Sequence, residues 1–528
     1  MKGFILILIT IAAFYLAYRF YGKYLEKLLE IDPERETPAN ELNDGMNYVP
    51  TNKIVLFGHH FAGISGAGPI IGPTLALVFG WLPAVIWLIL GNIFLGIVQD
   101  YTSLVLSVRQ KGRSIADATK EILNPISRWF FAIFVFLLMI SAFAVFVIII
   151  AKSWVTVPQA STPSIAFIFI AVLAGYLLYK VKIPLTWVTI IGVILFIAAI
   201  LIGMKNPITA SYRTWMIILI IYSFLAAALP VWILLQPRDY LNTWIMIVGL
   251  VIAIIGVFVG LTDMNLPAIT GWTHAKFGPI FPMLMIVMAC GAISGGHALI
   301  TSGTTSKQIN NEKDIRFVAI GGMQGEGLLA LVVVIGVSTL GFAEYSDLIA
   351  QGKQGLAFAK GFGGLISQIG IPIKIAMGIS ILLLSCFIMT TLDTVARICG
   401  FLFNEITGLP YLLCVGISVV LALLLAWGGT VMEIWPLFGA ANQLIGGLAL
   451  LVIIAWIASL KKSVKALTAP LIFMWIAPVI GLVLLSLKFF KDGNVVLFIF
   501  STVLIIIAIY LAYSTFQSLS KNKKTSTA

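Results

Sequence analysis

Apolar runs of about 20 residues, each long enough to cross a bilayer as a helix, recur along almost the whole chain. Of its 528 residues, 60% are apolar and 10% are charged, whereas soluble domains carry about 25% charged residues. So few charged side chains cannot cover the core of a soluble protein of this size. The sequence therefore predicts an integral membrane protein and excludes a soluble enzyme, a disordered scaffold and a DNA-binding protein.

Fifteen membrane spans are expected, each bounded by charged residues or by Gly and Pro. They lie near residues 3–21, 54–79, 83–108, 126–151, 163–180, 184–203, 214–234, 240–261, 281–305, 316–341, 372–403, 411–427, 433–458, 468–488 and 494–515. Backbone groups must be paired inside hydrocarbon, and these runs are too long for barrel strands. The predicted fold class is an all-α polytopic membrane protein.

The net charge of +12 reports topology rather than a nucleic-acid partner, because the basic residues occur in small groups between the apolar runs. If the loop that contains Arg109 is cytoplasmic, 23 of the 33 Lys and Arg residues fall on that side. This asymmetry predicts an outside N-terminus and a cytoplasmic C-terminus. The four cysteines lie in or beside apolar runs without metal-ligand spacing, so we expect buried free thiols and no metal.

Two of the expected spans are interrupted by small and helix-breaking residues. The first is FGHHFAGISGAGPIIGP, residues 57–73, and the second is ACGAISGGHALITSGTT, residues 289–305. Gly costs about 1 kcal/mol and Pro about 3 kcal/mol inside a helix. A break at membrane depth is tolerated where the freed backbone lines a protected or wet cavity. The alternative is that the glycines only allow close helix packing.

Each interrupted span opens a block of seven spans, and an odd number gives the two blocks opposite orientations. Such paired interruptions indicate a secondary transporter whose site lies at the midplane. The predicted organisation is an N-terminal span and cytoplasmic loop (1–53), a first inverted repeat (54–280), a second inverted repeat (281–515) and a cytoplasmic tail (516–528).

Three of the four histidines, His59, His60 and His297, fall inside the interrupted segments. An imidazole there can donate to a substrate carboxylate or carry a proton near neutral pH. The alternative is that each one caps carbonyls of a broken helix.

Ionisable residues inside predicted spans form the second group of candidates. Asp100, Glu326 and Asp393 are each flanked by apolar residues and would each cost about 2.5–3.5 kcal/mol at the bilayer centre. Each could carry the coupling proton, or could make a structural pair such as Asp393 with Arg397 or Asp100 with Arg109. Hydroxyls beside Asp393 would also suit Na⁺; they belong to Thr390, Thr391 and Thr394.

These segments resemble the carbon-starvation protein A family of bacterial inner-membrane transporters. The matching stretches are FGHHFAGISGAGPIIGP, LPAVIWLILGNIFLGIVQDYTSLVLSVRQKGRSI, ACGAISGGHALITSGTTSK, RFVAIGGMQGEG, TTLDTVAR and IWPLFGAANQLIGG. The resemblance implies ion-coupled uptake of pyruvate or small peptides, in a bacterial inner membrane. It also implies a fold similar to that of the amino acid, polyamine and organocation transporters, whose inverted repeats contain broken first and sixth helices.

The main hypothesis is a proton-coupled importer of a small monocarboxylate, pyruvate first, that works by alternating access without a cofactor. Glu326 or Asp393 would bind the coupling proton, and the expected ion-coupling residues are Asp100, Glu326, Thr390, Thr391 and Asp393. Half-helix amides, histidines and hydroxyls would bind the substrate. The expected substrate-binding residues are His59, His60, Gly66, Gly68, Gly295, Gly296, His297, Thr301, Ser302, Thr304 and Thr305.

Three other functions stay open at this point. A di- or tripeptide importer would need an ammonium partner such as Glu326 or Asp393. A nutrient-binding membrane sensor is disfavoured because the sequence shows no soluble output domain. An enzyme is weaker still, since HExxH, GxSxG and P-loop motifs are not found. The coupling ion, H⁺ or Na⁺, and the oligomeric state are not fixed by the sequence.

Overall fold

The chain is almost entirely helical in the computed structural model, which describes residues 1–45, 48–115, 125–230 and 233–525. The strands in these ranges are β1 (Thr273–His274) and β2 (Gly278–Pro279), a short antiparallel pair in the loop before the second interrupted segment. The prediction of an all-α fold is therefore confirmed. Lys120, which was counted among the cytoplasmic charges, lies outside the described residues.

The helices are numbered here in chain order, and turns of 3-10 or π helix are included in the helix that they continue. Their bounds are α1 Gly3–Leu29, α2 Pro38–Glu41, α3 Lys53–Ile64, α4 Gly68–Phe79, α5 Trp81–Arg109, α6 Pro125–Thr156, α7 Pro158–Val181, α8 Leu185–Lys205, α9 Tyr212–Ala228, α10 Leu235–Val259, α11 Ile280–Val287, α12 Gly295–Gly303, α13 Arg316–Val337, α14 Phe342–Ala350, α15 Gln354–Ser367, α16 Ile373–Thr407, α17 Tyr411–Gly428, α18 Val431–Ser459, α19 Lys465–Lys491 and α20 Val495–Thr525.

By length and apolar composition, 12 helices in the described ranges can cross a membrane, or 13 when the bent pair α3 and α4 counts as one span. Two more predicted spans correspond to α9, which has 17 residues, and to the pair α11 and α12. The expectation of about fifteen spans thus agrees with the helices. The last one, α20, continues to Thr525, beyond the predicted end at 515.

Each interrupted span has one half-helix that packs on the helix following the other interruption. Helix α4 of the first packs on α13, which follows the second interruption, whereas α12 of the second packs on α5, which follows the first. Helices α6 and α16 pack along each other between them. This exchange is what two inverted repeats would produce.

Residues 342–370 are Gly-rich and weakly amphipathic, a pattern that predicts loops or surface helices. They form α14 and α15, and for α15 this prediction is wrong. Phe358 and Phe362 of α15 are fully buried, and the helix packs against α13 and α16. A Cβ added to Gly361 would lie 2.6 Å from the carbonyl carbon of Gly336. Because glycines let these backbones approach closely, a segment of modest hydropathy becomes an internal helix.

A buried ion cluster links the loops on one face of the helix array. Glu312 lies between Arg109 and Arg35, with N···O distances of 2.9 Å to each, and accepts from the backbone N–H of Asp32 at 3.0 Å. Burial raises the pKa of Glu312, but the hydrogen bonds outweigh it and leave that pKa below its usual value. This is the face that the charge asymmetry predicts to be cytoplasmic.

Candidate functional site

The first interruption separates α3 from α4, which are bent by 49°. Residues Ser65 to Ala67 are unwound between them, and α4 then begins with Gly68 and Pro69. The hydroxyl of Ser65 is buried and has no hydrogen-bond partner among the described residues. A Cβ added to Gly66 would lie 3.1 Å from the hydroxyl oxygen of Thr391. The first interruption therefore faces α16 at close range.

The second interruption is longer and separates α11 from α12 by residues 288–294. Its freed carbonyl groups are paired with side chains of the neighbouring helices, as an unwound segment inside a membrane requires. The donors are Trp435 Nε1 to Val287 O at 2.8 Å, Trp87 Nε1 to Met288 O at 3.0 Å, Asn92 Nδ2 to Gly291 O at 3.2 Å and Gln99 Nε2 to Ser294 O at 2.6 Å.

The N-terminus of α12 is occupied by Asn442. The Gly296 N–H donates to Asn442 Oδ1 at 2.8 Å, and Asn442 Nδ2 donates to the hydroxyl of Ser294 at 2.9 Å. A Cβ added to Gly295 would lie 2.1 Å from the backbone oxygen of Asn442. The Gly296 amide that was expected to bind the substrate is thus already hydrogen-bonded in this conformation.

The two interruptions lie directly against each other. A Cβ added to Gly68 would lie 2.3 Å from the Cβ and Sγ of Cys290, and one added to Gly72 would lie 2.9 Å from the backbone oxygen of Val287. Glycine is needed at these positions because the two backbones approach too closely for a side chain. The sequence predicted the pair of interruptions, and the fold brings them together.

Three ionisable side chains from three helices meet beside the second interruption. His297 of α12 places Nδ1 2.9 Å from Asp100 Oδ2 on α5 and Nε2 3.3 Å from Glu326 Oε2 on α13. All three side chains are buried. The contact with Asp100 is a hydrogen bond. Glu326 is at ion-pair distance, and in the described part of the chain neither of its oxygens has a hydrogen-bond partner.

The charge on this cluster depends on the number of protons that it holds. With two protons shared among the imidazole and the two carboxyl groups, the net charge is zero. With one proton the net charge is −1, and a buried net charge is costly. Gain or loss of one proton therefore changes the net charge of this buried site. Within the described ranges, no group of three or more His, Cys, Asp or Glu side chains is arranged to hold a metal ion.

The other two predicted histidines have different surroundings. His60 is buried, with Nδ1 3.0 Å from the hydroxyl of Thr305. Its ring packs on Gly322, one helical turn from Glu326. His59 is exposed. His60 and Thr305 thus join the neighbourhood of the buried cluster, while His59 lies at an accessible surface.

The remaining predicted hydroxyls of α12 bond to helix carbonyls. Thr301 donates to His297 O at 2.7 Å, Ser302 to Ala298 O at 2.5 Å and Thr304 to Ile300 O at 3.0 Å. A hydroxyl hydrogen used in this way is not available to a substrate keto oxygen.

A second buried cluster surrounds Asp393 of α16. Asp393 Oδ2 lies 2.5 Å from Nη1 of Arg238 on α10 and accepts from the hydroxyl of Tyr222 on α9 at 2.9 Å. Arg397, the expected partner, donates instead to backbone oxygens at the end of α9. The alternative pairing of Asp393 with Arg397 is therefore wrong, because Arg238 reaches the carboxylate first.

The same revision applies to Asp100, because Arg109 pairs with Glu312 and Asp100 pairs with His297. The hydroxyls of Thr390 and Thr391 donate to carbonyls of their own helix at 3.0 Å, and Thr390 also accepts from Asn242 Nδ2 at 3.4 Å.

Arg238 is the main functional candidate that sequence reasoning missed. It stands in LLQPRDYLN, where the polar residues looked like a loop, and it was counted only as a cytoplasmic charge. Its position four residues before Asn242 and within an apolar context was the available signal. Cys290 was read as a free buried thiol, and it is a free cysteine at the contact between the two interruptions.

Accessible surface reaches the interruptions from one side of the array. His59 and Gly63 of α3 and Thr304 after α12 are exposed, whereas every residue from 67 to 80 is buried. Exposed residues thus occur on α3 and just after α12, whereas α4 is covered by the rest of the protein.

The family model for carbon starvation protein CstA matches residues 2–355 and 347–481 of the chain. The chain belongs to the carbon starvation protein CstA family. The peptide transporter CstA of Escherichia coli (strain K12) is 33% identical over 556 residues, covering 89% of this chain and 79% of the relative. The pyruvate/proton symporter BtsT of the same organism is 31% identical over 560 residues, covering 87% and 78%.

A solved structure supports the fold of this CstA-family chain. The manganese transporter of Eremococcus coleocola matches with a TM-score of 0.53 and 12% identity, over 91% of this chain and 99% of that one. At this identity the likeness concerns the fold alone. The chain is a multi-pass, all-α membrane transporter whose fold is similar to that of this manganese transporter.

Proposed function

We propose that this CstA-family protein is a proton-coupled importer of a small monocarboxylate, pyruvate first. The observation that carries the proposal is His297, held between Asp100 and Glu326 beside the second interruption. A relative of 31% identity is named a pyruvate/proton symporter, and a buried cluster whose charge changes with one proton supplies the coupling group that such a transporter needs.

Glu326 is the proposed coupling residue. Asp393 is neutralised by Arg238, and Asp100 is hydrogen-bonded to His297. Both oxygens of Glu326, in contrast, are buried and have no hydrogen-bond partner within the described ranges. A proton on Glu326 makes the cluster neutral, and a neutral cluster crosses between the two access states at lower electrostatic cost. Release of that proton on the other side resets the carrier.

Alternating access would move one repeat against the other, with 54–280 and 281–515 as the proposed repeats. The site would lie where Gly66 and Gly68 of the first interruption meet Thr391 and Cys290. His59, His60 and Thr305 would line the approach from the side that carries Lys53. In this proposal the N-terminus is outside, the C-terminus is cytoplasmic, and H⁺ rather than Na⁺ is the coupling ion.

The test is uptake of labelled pyruvate by the purified protein in proteoliposomes, with pH and Na⁺ gradients imposed separately. We expect stimulation by an inward proton gradient, and not by a Na⁺ gradient. Glu326→Gln should abolish this stimulation, because a glutamine at position 326 cannot bind and release a proton. Pyruvate/pyruvate exchange should continue, because the side chain is then neutral, like the protonated glutamate. Glu36→Gln, in an exposed loop, is the matched control. Wild-type protein without gradient-driven uptake would reject the proposal.

Peptide import is the second candidate. A relative of 33% identity is named a peptide transporter, and the buried carboxyl groups of Asp100 and Glu326 could bind a peptide ammonium group. Di- and tripeptides that compete with pyruvate at lower concentrations than pyruvate itself would favour this reading.

A further inference from the structure

A transported carboxylate needs a positive partner once it leaves water. The cluster of His297 already contains two carboxyl groups, Asp100 and Glu326, and would repel a third. The Gly296 amide is hydrogen-bonded to Asn442. The groups closest to the second interruption are therefore poorly suited to hold the carboxylate of the substrate.

Arg238 has the required charge and an unused edge. Its side chain is 1% exposed. Nη1 pairs with Asp393 and contacts the hydroxyl of Tyr222, whereas Nε and Nη2 are buried and have no hydrogen-bond partner among the residues that the structure describes. Leaving charged donors buried and unpaired is costly.

The geometry of that edge selects the chemistry of its ligand. The N–H groups of Nε and Nη2 lie side by side on one edge of the planar guanidinium. Two parallel donors of this kind match the two oxygens of a carboxylate. Asp393 holds the opposite part of the guanidinium and fixes its orientation.

Arg238 is connected to the first interruption through two helices. Asn242, one turn further along α10, donates to Thr390 of α16. The next residue, Thr391, contacts Gly66 at the interruption. Asn242 and the pair Thr390 and Thr391 thus connect the helix that carries Arg238 to the unwound backbone.

We propose that the Nε and Nη2 edge of Arg238 binds the carboxylate of the transported substrate. This inference rests on the proposed function and names the residue that anchors the substrate. Arg238 is a binding residue here, and Asp393 is the positioning residue that presents it.

Asp239 adds a condition to this binding. It directly follows Arg238, and its buried Oδ1 has no hydrogen-bond partner. The charged groups that act on it among the described residues are Arg238 and Asp393, and Tyr222 of α9 completes the surroundings of this pair. A carboxylate bound to Arg238 would meet the charge of Asp239, so a proton on Asp239 favours binding.

The experiment compares wild-type protein with Arg238→Lys, Arg238→Gln and Asp239→Asn in the proteoliposome assay. Arg213→Gln is the matched control, because it removes an exposed guanidinium that stacks on Trp427. We measure KM and Vmax for pyruvate, and inhibition of pyruvate uptake by the uncharged isostere pyruvamide.

Loss of the two charged hydrogen bonds should raise the KM of Arg238→Gln about 10- to 100-fold. Arg238→Lys should give an intermediate KM, because an ammonium group keeps the positive charge but lacks the two parallel N–H donors. Inhibition by pyruvamide should be unchanged. Asp239→Asn should not raise the KM, because it removes a carboxylate whose negative charge would oppose binding of the substrate.

An unchanged KM in both Arg238 variants, with only Vmax reduced, would overturn the inference and leave Arg238 as a structural partner of Asp393. This outcome differs from failure of the proposed function, in which wild-type protein shows no pyruvate uptake. If the Arg238 variants do not fold, a cryo-EM structure of the wild-type protein with pyruvate decides. A carboxylate within hydrogen-bond distance of Nε and Nη2 supports the inference, and a carboxylate elsewhere overturns it.

Discussion

Substitution of Gly68 by Ala tests whether the two interrupted helices touch. The added Cβ would lie 2.3 Å from the Cβ and Sγ of Cys290, whereas carbon atoms in contact are separated by about 3.5–4.0 Å. One segment must therefore move by more than about 1 Å. Overpacking of this kind costs about 1–3 kcal/mol, and the higher helix propensity of Ala returns at most about 1 kcal/mol. We expect a net loss of about 1–2 kcal/mol in the free energy of unfolding.

The assay is unfolding of the purified protein by titration from a mild detergent into SDS. Gly303→Ala is the control, since a Cβ at that position of α12 would meet no atom within 4 Å. The double variant Gly68→Ala/Cys290→Gly should recover most of the loss, because it removes both clashing atoms. Equal stabilities of Gly68→Ala and Gly303→Ala would refute the contact between the interruptions.

Three further predictions concern other polar groups. Hydrogen bonds hold the pKa of Glu312 below its usual value. The stability that these bonds give to the fold is present above the usual glutamate pKa and is lost as the pH falls. Glu312→Gln should therefore flatten the acid side of a plot of melting temperature against pH. Asn442→Ala leaves the Gly296 N–H without its acceptor and should cost about 1–3 kcal/mol in SDS unfolding. Lys2→Ala breaks an exposed pair with Asp263 and should leave the melting temperature unchanged.

The spans and the two interruptions could be predicted because hydrocarbon imposes strong rules on sequence. The length of an apolar run can be read from the sequence and compared with the thickness of the hydrocarbon. The Gly and Pro residues around Gly66 and Pro69 cannot be accommodated in an unbroken helix. The meeting of Asp100, Glu326 and His297 followed only in part, since each residue was singled out but their mutual contact was not. Contacts between distant helices depend on rotation about each helix axis, which the sequence of one span does not fix.

Partner choice was the main failure of sequence reasoning. Asp393 was matched with Arg397 because one helical turn separates them, yet Arg238 from another helix takes the carboxylate. Local spacing identifies neighbours along a helix, and a long Arg side chain can reach across helices instead. Phe358 of α15 shows the same limit, because small residues on one face made an internal helix look like a surface loop.

The two interruptions differ in how firmly neighbouring helices hold them. Four side-chain donors bind the backbone of residues 287–294. Hydrogen bonds from Trp87, Asn92, Gln99 and Trp435 attach the second interruption to α5 and α18. In the first interruption, the hydroxyl of Ser65 has no hydrogen-bond partner among the described residues. We therefore expect α3 to move more readily than the segment around the second interruption. Amide hydrogens of α3 should then exchange with deuterated solvent well before those of α12.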